Sequence, residues 1–400
     1  MKKAILTFLL IISLLFLFSC KSIPEDTGEF ECEFDTKAKT ATITGYNGES
    51  EEITVPDSFG KYKVTKIGKG AFSKKYDVSS IILPNTLEQI EASAFEYCIS
   101  IENIDLPTSL KSIKNTAFLN CRGLKEIYIP ESITHIGVCV FSGCTSLERI
   151  EVSENNPNYS SDSYGALLDK KQTVIYQYPM GSQRISYEMP ETVSEVESYA
   201  FENSIYLENV TFSPVLKKLG SCAFQKSGIT EALFPNSLQE IAFSCFNESK
   251  LTNIDFGNGI NIIGEAAFSW CTSLNNVNIP SSVKTIGRSA FYMCTSIKGF
   301  EVDKENQNYS SDVYGVLFDK NMTVLHFYPT ARIDESYFIP DTVITVEANA
   351  FTPTLNLKSV TIPDSVENIG EKAFSNCVNL KEVIYEGSQP SNIAENAFDK

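Results

Sequence analysis

One residue returns along this chain with a fixed beat. Phenylalanine, most often preceded by alanine, stands at Phe72, Phe95, Phe118 and Phe141, then at Phe201, Phe224, Phe246, Phe268 and Phe291, then at Phe351, Phe374 and Phe398. The steps are 23 residues with slips to 22 or 24, and the steps to Phe201 and Phe351 are 60. A period in this range is the mark of a stacked repeat, which removes the usual expectation of two or three closed domains for 400 residues.

The unit from Leu124 to Leu147 shows what is repeated. Its apolar positions are Leu124, Ile127, Ile129, Ile133, Ile136, Val140, Phe141, Cys144 and Leu147, which follow neither a period of 2 nor one of 3.6 throughout. Ile127-Tyr128-Ile129 alternates as a strand does, and Pro130 ends it because proline cannot donate to a ladder. A second extended piece reaches Ile136-Gly137, and Phe141 and Cys144 then stand three apart, as in a helical turn. One such coil has a single apolar face and cannot enclose it. Neighbouring coils must cover it, so the expected fold is a solenoid of about twelve coils, strand-rich with short helical turns.

The pattern Leu-x-x-Ile-x-Ile-Pro-x-Ser-hydrophobic-x-x-Ile-Gly-x-x-Ala-Phe-x-x-Cys-x-x-Leu, with good copies at Leu357 to Leu380 and Leu274 to Ile297, resembles the leucine-rich repeats of BspA-like and treponemal bacterial surface proteins. Residues 42–48 and 62–68 look like that family's opening cap. The resemblance implies a leucine-rich-repeat solenoid over 71–400 after an N-terminal β cap at 30–70, with insertions near 153–190 and 303–340. It also implies protein binding, as adhesion to host matrix or to other bacterial surface proteins. An envelope-scaffolding protein that stays periplasmic is the alternative.

The N-terminus carries its own message. Lys2 and Lys3 precede an apolar run from Ala4 to Phe18, too short for a spanning helix and shaped like an export signal covering 1–19. Its end, Leu17-Phe18-Ser19-Cys20, resembles a bacterial lipobox, which makes Cys20 the expected site of acylation and 20–29 a polar tether. Membrane attachment is expected through that lipid alone. The formal charge of −17 argues against nucleic acid or anionic head groups as partners.

Each 60-residue step holds one ordinary coil plus about 37 extra residues, and the two extra segments are near copies. In the first, Gly165 to Leu168 and Thr173 to Tyr176 flank Asp169-Lys170-Lys171-Gln172, which reads as a β-hairpin. It is either an enlarged coil or one of a pair of tyrosine-rich projections, with Tyr164, Tyr176 and Tyr178, and in the second copy Tyr314 and Tyr328, as candidate contacts. Asn155, Asn156, Asn158 and Asp162, echoed by Asn306, Asn308 and Asp312, are turn-forming residues or, less simply, oxygen ligands for calcium. Six cysteines, Cys98, Cys121, Cys144, Cys271, Cys294 and Cys377, fall three residues after the repeat phenylalanine and are expected as buried free thiols.

No arrangement for chemistry emerges. His135 and His326 belong to no recognisable constellation, and no nucleophile elbow, zinc motif or phosphate loop is present. No catalytic residue, cofactor or metal is expected. What varies from coil to coil is the single outward residue between the inward pair of each main strand: Asp105, Tyr128, Glu151, Thr211, Leu233, Asp255, Asn278, Glu301 and Thr361. Asp105, Tyr128, Glu151, Asp255, Asn278 and Glu301 are the candidate binding face.

Overall fold

The computed structural model describes residue 24 and residues 26–399; the export segment and Cys20 lie outside the described residues. The chain is a strand-rich solenoid of about 15 turns, with no helix among the described residues. It divides into two compact units, one of residues up to Leu124 with Tyr128–Phe141, the other of Lys125–Ile127 with Ser142 onward.

A coil of the second unit shows how sequence becomes shape. Asn276–Ile279 is a strand with alternate residues buried, so Val277 and Ile279 face inward. Pro280 closes it, and Thr285–Ile286 forms a second short strand. The next coil lies parallel and in register, Val277 beside Phe300 and Asn278 beside Glu301, so like positions stack on like.

The turn that carries the phenylalanine departs from the expected helical form while keeping its three-residue spacing. Ala266 and Trp270 adopt left-handed backbone conformations, with φ of 53° and 63°, which no α-helix tolerates. Backbone N–H groups therefore alternate in direction. Those of Ala266, Phe268 and Trp270 donate to the carbonyls of Arg288, Ala290 and Tyr292 in the next coil at 3.0, 2.8 and 2.7 Å. Those of Ala267, Ser269 and Cys271 donate three residues back, to Gly264, Ala266 and Phe268, at 3.3, 3.0 and 3.1 Å. The first unit repeats this at Ser93, Phe95 and Tyr97, which donate to Asn115, Ala117 and Leu119. Half of each turn is thus bonded within itself and half to its neighbour.

The register stacks the phenylalanines face to face. In the second unit Phe201, Phe224, Phe246, Phe268 and Phe291 follow one another with ring centroids 4.6, 5.1, 5.4 and 5.5 Å apart and planes within 8° of parallel. In the first, Phe72, Phe95 and Phe118 are spaced 5.4 and 5.2 Å apart. Three residues on, the cysteine thiol donates to the phenylalanine carbonyl one coil back: Cys98 to Phe72 and Cys121 to Phe95 at 3.1 Å, Cys294 to Phe268 at 3.0 Å. No disulfide joins the ten cysteines among the described residues. Burial pushes the thiols of Cys98 and Cys271 up to about 12.

Both insertions complete the stack. Tyr159–Ser161, Leu167–Asp169 and Val174–Gln177 pair antiparallel, and the last is joined in parallel by Glu195–Val196 of the following coil. Tyr309–Ser311, Leu317–Asp319 and Val324–Phe327 do the same ahead of Thr345–Val346. Tyr178 then occupies a ladder position, stacked 5.1 Å from Phe201, and Tyr328 stands 4.9 Å from Phe351. In the second hairpin Leu317 and Phe327 pack into one apolar cluster, Phe318 and Leu325 into the next. These segments are enlarged coils, core on both faces. The N-terminus is built alike: Phe30–Asp35 lies antiparallel to Thr40–Tyr46, which is parallel to Tyr62–Ile67, and Tyr46 packs 5.9 Å from Phe72. Three tyrosines added to the twelve phenylalanines account for the coils beyond the dozen expected.

Two outcomes are expected. Phe246→Ala, which opens a cavity between two stacked rings, should lower unfolding free energy by about 3–5 kcal/mol in a denaturant titration. Because the buried thiols ionise near 9.0 when unfolded and near 12 when folded, stability is fully present below pH 9 and declines as pH rises toward 12. Melting temperatures at pH 7, 9 and 10.5 check this. In step with it, iodoacetamide at pH 8 should modify the thiols only after denaturation.

Candidate interaction surface

The main strands place one side chain per coil outward, and these line up where strands pair in register, as Glu188 with Thr211, Leu233 with Asp255, and Asn278 with Glu301. In the second unit Glu151, Thr211, Asp255, Asn278 and Glu301 are exposed, and Leu233 is 55% exposed. In the first, Asp105 is exposed beside inward Ile104 and Leu106, and Tyr128 is half-exposed. Thr361 corrects the expectation: it is buried, because Phe338 and Ile384, its in-register neighbours on either side, stand taller and close over it.

Three of the six candidates meet in one place. Asp255, Asn278 and Glu301, together with Asp303, line an open depression of about 340 Å³ floored by Phe256, Ile279 and Pro280. The Asp255 carboxylate accepts the Gly257 N–H at 2.9 Å, which fixes it over the turn; Gly257, with φ of +58°, is the residue that permits that turn. Asp303 was missed from sequence, though a signal existed. It follows Val302 where the preceding coil has proline after Ile279, and its N–H donates to the Ile279 carbonyl at 2.9 Å, a bond proline could not make. Glu151 stands apart from that depression, beside Arg149 at 3.9 Å. Glu188, Phe338 and Ile384 are outward residues that sequence reasoning also passed over, because two of them sit in coils entered from an insertion.

The hairpin tyrosines divide. Tyr178 and Tyr328 are 0% and 3% exposed and belong to the ring ladder, so neither can serve as the partner contact expected of it. Tyr176 is partly buried, its ring 5.7 Å from Tyr159. Tyr164 lies under the Arg184 guanidinium at 5.3 Å and edge-on to Tyr187 at 4.8 Å. Tyr314, 42% exposed, repeats this with Arg332 at 5.2 Å and Tyr337 at 5.6 Å. Behind these pairs the Tyr187 hydroxyl donates to Asp162 at 2.7 Å and the Tyr337 hydroxyl to Asp312 at 2.8 Å.

The oxygen-rich residues of the insertions are occupied by backbone. One Asp162 oxygen accepts the N–H groups of Tyr164 and Ala166 at 2.9 and 3.0 Å, and the Asn156 carbonyl oxygen accepts those of Asn158 and Tyr159, both at 2.9 Å. Asp312 and Asn306 repeat the pattern. These are the bonds of turns. Among the described residues no group of three or more His, Cys, Asp or Glu could hold a metal ion. His326 faces Glu347 at 2.9 Å and Tyr309 at 5.5 Å between ring centres, and His135 lies exposed on its short strand. Neither histidine joins a nucleophile. No helix among the described residues is long and apolar enough to cross a membrane.

No curated protein matches the sequence. Among solved structures, a leucine-rich repeat protein from Bacteroides ovatus is 24% identical, with a TM-score of 0.48 over 90% of this chain and 93% of that one. One from Eubacterium ventriosum is 22% identical, with a TM-score of 0.48 over 93% of both chains. A leucine rich cell surface protein from Faecalibacterium prausnitzii is 20% identical, covering 93% of this chain and 97% of that one, with a TM-score of 0.35. The model of the BspA type leucine rich repeat region matches residues 47–171, 180–314 and 326–400 in six copies. With inward positions held from coil to coil and the match extending over most of its length, the chain belongs to the BspA type leucine-rich repeat family.

Proposed function

We propose that this protein binds other proteins through the outward column of its main strands, as an exported lipoprotein held to the membrane by Cys20 and engaged in adhesion to host matrix or to other bacterial surfaces. The observation that carries the reading is the depression of Asp255, Asn278, Glu301 and Asp303. There the positions that vary from coil to coil converge, on a scaffold whose inward positions hardly vary in kind. Its charge suits a basic segment of a partner. Repeat solenoids present such extended faces for recognition, and the described residues offer no constellation suited to bond-making.

The anchor reading rests on the sequence around Cys20, where acyl chains supply the two or more signals that stable attachment needs. Replacing Cys20 by serine should move the protein from the detergent to the aqueous phase in a Triton X-114 partition; retention in the detergent phase would remove the lipoprotein assignment. For the binding face, Asp255→Ala, Asn278→Ala and Glu301→Ala together should weaken capture of immobilised matrix proteins or cell-envelope extract about tenfold or more, with the melting curve unchanged. Binding indifferent to all three changes would exclude this column. Protease treatment of intact cells should degrade the protein; survival would favour a periplasmic location.

A further inference from the structure

The two insertions keep apolar residues at most of their buried positions but change in kind at several exposed ones. At positions 150 apart, Ser163, Gln183 and Glu188 of the first become Val313, Ile333 and Phe338 of the second. Val313, Ile333 and Phe338 are 93%, 86% and 68% exposed. The reverse exchange occurs once, at Ile185 and Glu335. Tyr314, 42% exposed, and Ile384, 41% exposed, join Val313 and Phe338, and Ile333 follows Arg332, whose guanidinium donates to the Tyr314 carbonyl at 2.8 Å. Gly315 accepts the Phe300 N–H at 2.9 Å and Tyr314 packs on Tyr337, which places residues 313–315 between strands Gly299–Val302 and Ser336–Phe338. Phe338, Thr361 and Ile384 continue it in register. Together these side chains expose several hundred square ångströms of apolar surface, the size at which a patch on a soluble protein marks a contact site.

The margins of this face are of opposite sign. Exposed Lys298, Lys358 and Lys381 immediately precede its strands, and exposed Asp303, Asp341, Asp364 and Glu386 follow them. The lysine margin also holds Glu335, paired with Lys358, and Glu382, so its balance is a small positive one against an opposite margin that is acidic apart from exposed Lys304. A two-fold axis lying in the face along the stacking direction reverses strand direction between copies and keeps coils level. It sets Phe338 against Phe338 and Lys358 against Asp364 of the second copy; one coil on, Lys381 lies diagonal to Glu386, whose direct counterpart is Glu382. Two such patches face to face, with their margins, reach the roughly 1,000 Å² that a specific interface requires.

We propose that this face is an isologous docking surface for a second copy of the chain. The surface adjoins the edge of the Asp255 depression at Gly299–Val302 and Asp303, but Phe338, Ile333 and Ile384 lie outside that depression, so a failed dimer test leaves the Asp255, Asn278 and Glu301 test untouched. Sedimentation velocity of the full chain at rising concentration should show a monomer–dimer equilibrium. Phe338→Glu and Ile333→Gln, which restore the residues of the first insertion at the surface, should each weaken it about tenfold or more without lowering the melting temperature, whereas Leu233→Glu should leave it unchanged. Lys358→Glu and Asp364→Lys should each weaken it, and the double exchange should restore it. A chain that stays monomeric, or a dimer indifferent to Phe338→Glu, overturns the proposal. So does Phe338-dependent sedimentation of a monomeric chain with phosphatidylcholine–phosphatidylglycerol vesicles, which assigns the patch to lipid.

Discussion

The structure depends on a division of labour among backbone N–H groups in the turn. With a left-handed residue on each side of the repeat phenylalanine, successive groups point alternately into their own turn and into the next coil. A helix would have spent every bond internally and left neighbours held only by side chains. Here the coil is incomplete without its neighbour, and the same bonds that complete it fix the spacing at which rings stack and thiols reach carbonyls. Each left-handed non-glycine residue costs on the order of 1 kcal/mol, which the bonds across the coil boundary offset. The ring ladder and the cysteine column are consequences of that spacing.

Much of this was legible beforehand. The 23-residue beat, the inward positions and the parallel stack follow from apolar spacing alone, because one coil cannot bury its own face. The hairpins were legible from alternation around Asp169, whose carboxylate indeed holds the turn by accepting the Thr173 and Val174 N–H groups at 2.5 and 2.8 Å. The form of the turn was not. Phe141 and Cys144 stand three apart in a helix and in a chain of linked β-turns alike, and residues as unlike as Ala266 and Trp270 take the left-handed conformation, so local preference gives no warning.

The candidate site was legible only in part, for the same reason. Spacing predicts which residues point outward, so Asp255, Asn278 and Glu301 were found. It does not predict height. Thr361 points outward and is buried because Phe338 and Ile384 flank it, while Thr211, its counterpart 150 residues earlier, lies between Glu188 and Leu233 positions and stays exposed. Tyr178 and Tyr328 went astray differently: they stand 23 residues before Phe201 and Phe351, on the beat, but as tyrosines without a preceding alanine they were not counted with the repeat phenylalanines. The bond from the Tyr178 N–H to the Ala200 carbonyl, the same bond Phe201 makes to Ala223, shows their place in the structure.

The antiparallel hairpins that open each short-strand sheet carry a consequence for how such a chain changes length. Tyr178 and Tyr328, with the strands before them, are the same structural device met twice, and the stretch from one to the other is 150 residues. A crossover between the two copies would delete or add one such stretch and join a hairpin to the kind of coil it already precedes. The new junction would be one the protein has already solved, so the array can lengthen or shorten by whole blocks without inventing a packing interface.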